Sequence, residues 1–163
     1  AWLLVNLVTA ILASVVISVF DGTIEQLIAL AVLMPIVASM GGNAGTQTIA
    51  VAVRAIALRQ LDPLSTRNFI FREVLVGLLN GLVFAGLAGL VSYVWFGDPE
   101  IAVVMAVAML ANLLVAGLSG TLVPVGLLRS GVDPAVASSV FVTTITDVVG
   151  FSVFLGLAAL YLL

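Results

Sequence analysis

Five long apolar runs, parted by short polar breaks, fill nearly the whole of this 163-residue chain. Each approaches or exceeds the roughly 20 residues that cross a bilayer. In hydrocarbon no water is present to satisfy free backbone N–H and C=O groups, so each run is expected to fold as a helix that bonds its own backbone. Composition agrees: 63% of residues are hydrophobic, 8% are charged and the mean hydropathy is +1.37. Soluble domains carry roughly 45–50% apolar and 25% charged residues, so a water-soluble globule is excluded. The expected fold is all-α, with five transmembrane helices in a single membrane domain spanning 1–163. Cys and His are both absent. That removes disulfides, thiolate metal sites, the commonest general base and the commonest transition-metal ligand.

The first span runs from Ala1 to about Phe20 and is followed by the polar cluster Asp21, Gly22, Thr23, Glu25 and Gln26, read as a turn. The second covers Leu27 to about Leu58, about 48 Å as a helix, against a hydrocarbon core of roughly 30 Å. It must tilt, project or break. Gly41-Gly42-Asn43-Ala44-Gly45 is the expected break, because its glycines weaken a helix. A polar stretch from Arg59 to Asn68, containing Asp62-Pro63, leads into a third span ending near Phe96. Gly97-Asp98-Pro99-Glu100 forms a tight turn, the fourth span covers Ile101 to about Leu128, and the fifth runs to Leu163. Gly131 is expected to stop the fourth helix, with Asp133 as N-cap and Pro134 as N1 of the fifth. The chain opens at Ala1 without an initiator Met or a charged n-region, which predicts no signal peptide and a piece of something longer.

Lys is absent, and Arg54, Arg59, Arg67, Arg72 and Arg129 all fall at the second and fourth connectors. By the positive-inside rule those connectors are cytoplasmic, placing the N-terminus inside and the C-terminus outside. The opposite connectors hold Asp21, Glu25, Asp98 and Glu100. Such an acidic rim concentrates cations. Five spans give no two equal halves and show no internal repeat, so a homodimer is expected to supply symmetry.

Asp147 is the one ionisable residue deep within a span, about 20 Å from Pro134 along the fifth helix. A carboxylate at that depth costs at least about 2.5 kcal/mol and normally faces a bundle interior or a wet cavity. Ser139, Thr143, Thr146, Asp147 and Gly150 recur at spacings of three and four, forming one polar stripe. The second span matches it with Ser39, Asn43, Thr46 or Gln47, and Arg54. Two polar faces suggest one lumen, and glycines 42 and 45 beside Asn43 allow close approach or unwinding that exposes carbonyls. Gly77, Gly81, Ala85 and Gly89, at intervals of four, form a face for close helix packing, while Asn80 and Asn112 are expected to bond between helices. Trp2, Tyr93, Trp95 and Tyr161 read as interfacial anchors. Only oxygen ligands are available, which selects hard cations: Mg²⁺, Ca²⁺, Mn²⁺ or monovalents. Mg²⁺ dehydrates reluctantly and is commonly held by one or two carboxylates, so two copies of Asp147 across a dimer axis would balance its charge.

Pro35, Met40-Gly-Gly-Asn-Ala-Gly-Thr-Gln47, Arg54-Ala-Ile-Ala-Leu58, Gly131-Val-Asp-Pro-Ala135 and Thr146-Asp-Val-Val-Gly150 together resemble the transmembrane domain of the MgtE family of magnesium channels. The resemblance runs through all five helices in order. It implies a homodimer with a central pore lined by the second and fifth helices, passing Mg²⁺ inward across the plasma membrane of a prokaryote, with Mn²⁺, Co²⁺ and Ca²⁺ as surrogates. On this likeness Asp147 matches the filter carboxylate that holds a largely hydrated ion. Thr143 matches the position one turn earlier whose backbone carbonyl faces it. Gly42, Asn43, Gly45, Thr46, Gln47, Ser139, Thr146 and Gly150 are the accompanying pore-lining candidates. Partners implied are a second copy, membrane lipid and N-terminal cytosolic gating domains that are not in this chain; no nucleic acid and no enzymatic activity are expected. Rival readings are a Mg²⁺ exchanger coupled to Na⁺ or H⁺, and a structural helical subunit in which Asp147 tolerates neutral replacement.

Overall fold

The computed structural model describes residues 2–59 and 63–163, with side chains resumed from residue 66; Ala1 and Asp62 lie outside the described residues. The described elements are all helices: α1 (Trp2–Val19), α2 (Asp21–Gln26), α3 (Ile28–Ala57), α4 (Pro63–Phe96), α5 (Pro99–Arg129) and α6 (Pro134–Tyr161). Five of them are long and apolar enough to cross a membrane, the sixth being the short α2.

Helix ends follow local chemistry. Asp98 accepts hydrogen bonds from the backbone N–H of Glu100 at 2.8 Å and of Ile101 at 3.4 Å, capping α5 ahead of Pro99. Asp133 does the same for α6, taking the Ala135 N–H at 2.9 Å. Between them α5 stops at Gly131, whose φ of +74° suits a residue without Cβ. The Val132 N–H returns to Leu127 O and the Gly131 N–H to Leu128 O, a Schellman closure that satisfies the last carbonyls.

Three expectations are corrected. The cluster after the first span is the six-residue helix α2, because Phe20, Ile24 and Leu27 pack on the core and fold the segment back onto it. The fourth helix begins at Pro63, so Thr66, Arg67 and Asn68 are already helical. Most consequential, α3 does not break at Gly41–Gly45 but runs unbroken for 30 residues. Its glycines leave room for neighbours: a Cβ on Gly41 would collide with the Asn112 amide, and one on Gly45 would lie 2.5 Å from Val142 Cγ1. At about 45 Å the intact helix exceeds a hydrocarbon core of roughly 30 Å, so it tilts or projects.

α5 is the hub. Its Val104, Met105, Ala108, Met109 and Leu113 interleave with Leu30, Leu33 and Val37 of α3 and with Phe151, Phe154 and Leu155 of α6 to make the core. α4 lies outside this trio on α5, and its small-residue face brings it there. A Cβ on Gly77 would stand 3.2 Å from Leu113 O, and one on Gly89 would stand 3.1 Å from Ala102 O. α1 rests on α6, with Trp2 edge-on to Phe141 at 6.5 Å, and exposes most of its surface.

Candidate functional site

α3 and α6 run side by side and leave one face uncovered by any other helix of the chain. On α3 this face carries Ser39, Asn43 and Thr46, all exposed; on α6 it carries exposed Ser139 and half-buried Thr143 and Asp147. The Asn43 amide donates to Ser39 Oγ at 3.3 Å. Asp147 is bracketed by two close helix contacts. On one side Gly45 meets Val142; on the other Gly41 and Gly150 enclose the Asn112 side chain. The carboxylate has no hydrogen bond or ion pair among the described residues.

The threonine hydroxyls of the face donate to their own helices. Thr46 Oγ1 donates to Gly42 O at 2.8 Å and Thr143 Oγ1 to Ser139 O at 2.8 Å. What remains toward the open side are oxygen lone pairs, the Ser39 and Ser139 hydroxyls, the Asn43 amide and one carboxylate, an oxygen-rich set that suits a hard cation. The carbonyl of Thr143 is already engaged by Thr146 Oγ1 at 3.0 Å, in addition to its helical N–H.

The two stripes legible in the sequence divide in three dimensions. Thr146 is fully buried and Gly150 is packed on Asn112 and Val37, both on the side of α6 turned into the bundle. Gly42 looks across at Thr143 Cγ2, and Gly45 is enclosed by Val142 and Ala116. Gln47 turns away from Asn43 into a groove against α4, lined also by Thr48, Glu73 and Asn80, and Arg54 lines its continuation with Arg72. Because α3 is unbroken, the glycine segment offers no unwound carbonyls.

Asn112 bonds between helices, as expected. It is fully buried, its Nδ2 donates to Val37 O at 2.8 Å, and its Oδ1 has no partner among the described residues. It thus fastens α5 to α3 while filling the space that Gly41 and Gly150 leave, one turn from Asp147. A polar residue in an apolar run beside conspicuous glycines on other helices was the signal available.

A family model named MgtE, described as a divalent cation transporter, matches residues 34–157. The chain belongs to the MgtE family. Among curated relatives, the magnesium transporter MgtE of Thermus thermophilus is 36% identical over 162 residues, and that of Bacillus subtilis is 32% identical over 161. The Enterococcus faecalis magnesium transporter MgtE is 33% identical over 161 residues. Each match covers 99% of this chain and 36% of the relative, so the chain spans about a third of the length of these MgtE proteins. Membership in the MgtE family and five apolar helices together make it a multi-pass membrane protein. All the features singled out above, from Asn43 to Asp147 and Gly150, fall inside the matched MgtE segment.

Proposed function

We propose that this chain forms the ion-permeation part of a Mg²⁺-selective channel of the bacterial plasma membrane. Two copies place their α3–α6 faces together around an axis, and Asp147 recognises the hydrated ion. The observation that carries this reading is the position of Asp147: a carboxylate midway along a membrane helix, on the one polar face that no helix of its own chain covers. Turned toward lipid, such a charge would cost about 2.5–3.5 kcal/mol on insertion scales. A second copy covers the face and supplies a second carboxylate, so that two negative charges meet one divalent cation.

Selection follows from hydration. Mg²⁺ keeps its octahedral water shell, whereas Ca²⁺ exchanges ligands easily and accepts irregular oxygen cages. A pair of carboxylates with hydroxyl oxygens from Thr143, Ser139 and Thr46 can hydrogen-bond to a water shell of one size without stripping it, which keeps binding weak enough for exit. Since the Thr143 carbonyl is engaged by Thr146, the Thr143 hydroxyl is the oxygen we assign to the ion's waters. With the arginine connectors cytoplasmic, the end bearing Asp21, Glu25 and Glu100 faces outward and draws cations to the mouth. The relatives are magnesium transporters, which supports the choice of ion. The remaining partners in this reading are N-terminal cytosolic domains of the longer protein, which gate the pore.

Mg²⁺ influx into proteoliposomes, wild type against Asp147→Asn, tests the proposal. The Asn variant keeps the shape and removes the charge, and flux should fall to background. Equal flux in both would make Asp147 structural and move recognition elsewhere. Flux that requires an imposed Na⁺ or H⁺ gradient would replace the channel with an exchanger.

A further inference from the structure

α3 and α4 scarcely touch, because α4 is docked on α5 by its glycines and α5 holds the two apart. The space between them is a groove in two connected parts sharing Val51 and Glu73. The part nearer the second connector encloses about 540 Å³. Two arginines line it from different helices: Arg54 in the last turn of α3 and Arg72 from the early turns of α4. Neither is in an ion pair among the described residues. Leu58 and Phe69 flank the mouth, one turn nearer the connector than the arginines; deeper, Val51, Val76 and Leu113 form most of the wall, with Gln47, Thr48 and Asn80 among them.

A pair of arginines at the mouth of a mostly apolar cleft matches one chemistry in a bilayer: a phosphodiester headgroup carrying acyl chains. We infer that the Arg54–Arg72 end of the α3–α4 groove is a binding site for an anionic phospholipid, whose phosphate the two guanidinium groups take while an acyl chain fills the cleft. Basic pockets between membrane helices recognise anionic headgroups in this way. Glu73 also lines the groove beside Arg72, only about 1.5 Å further along α4, so two positive charges there meet one negative. The occupant does structural service as well, since it fills the space between α3, which carries Asn43 of the ion face, and α4, which otherwise has only α5 to hold it.

The test is native mass spectrometry of the purified protein titrated with phosphatidylglycerol and with phosphatidylcholine, which differ in headgroup charge. At about fivefold per arginine, the pair should give wild type roughly a 25-fold preference for phosphatidylglycerol. Arg54→Gln/Arg72→Gln should abolish that preference, and Arg67→Gln/Arg129→Gln should retain most of it. Val51→Trp keeps both charges and fills the cleft, so it should also release the lipid; it decides the matter if the double Gln variant fails to fold. Equal binding of the two lipids by wild type overturns the inference. So does a preference that survives both Val51→Trp and loss of Arg54 and Arg72, or one excluded because a second copy occupies the groove.

Discussion

Replacing Gly150 by Ala should loosen the α3–α5–α6 junction through Asn112. The new Cβ would lie 2.7 Å from Asn112 Nδ2, 3.0 Å from its Cγ and 3.2 Å from Val37 Cγ1. Asn112 cannot yield toward α3, because Gly41 already lies so close that its own added Cβ would stand 2.8 Å from the same Cγ. Moving the amide therefore breaks its 2.8 Å hydrogen bond to Val37 O. Overpacking of this kind costs about 1–3 kcal/mol, and a buried hydrogen bond lost with its groups left desolvated about 1–3 more, giving about 2–6 in all. The assay is SDS-induced unfolding in mixed micelles, followed by circular dichroism, for wild type, Gly150→Ala, Asn112→Ala and the double variant. With the amide gone the added methyl has room, so Gly150→Ala should be nearly neutral in the Asn112→Ala background, and the cycle should show a coupling close to the full single-variant cost, about 2–6 kcal/mol. Additivity within about 0.5 kcal/mol would refute the argument that Asn112 is what Gly150 accommodates.

Two more outcomes follow from the open face. If the Thr143 hydroxyl serves the ion's waters, Thr143→Ala should lower Mg²⁺ influx about tenfold, the equivalent of one charge-assisted hydrogen bond of about 1.4 kcal/mol, while Thr143→Ser keeps it; equal flux in the two variants would return the role to the backbone. Because the chain has no cysteine, Ser139→Cys introduces a single thiol on the face assigned to the axis. Mild oxidation in membranes should give disulfide-linked dimers on gels, whereas Val83→Cys, on the exposed outer side of α4, should not; the reverse pattern would place the contact between copies on α4.

Much of this molecule is written locally. Spans show in composition because the bilayer acts residue by residue through transfer free energy, and ends show at Asp98, Gly131 and Asp133 because capping involves only the nearest turn. The small-residue face of α4 was readable for the same reason: close packing needs a period, and Gly77, Gly81, Ala85 and Gly89 keep one. The polar stripes were harder. Thr146 and Asp147 are adjacent and both polar, so spacing alone assigns both to one lumen. In space Thr146 turns into the bundle and bonds Thr143 O, while Asp147 stays on the open face.

What the sequence by itself determined is that the chain crosses a membrane in five helices, where those helices end, and that one carboxylate lies deep within them. Only the tertiary structure decided that α3 stays whole, that α5 is the hub, and which polar residues reach the uncovered face. The physical reason is range. Glycines at 41 and 45 read locally as weak points in a helix and Gly150 as part of a polar stripe, yet they are spaces kept for side chains from elsewhere, one of which, Asn112, bonds to a carbonyl 75 residues away along the chain. No count along one segment shows what a distant segment will bring.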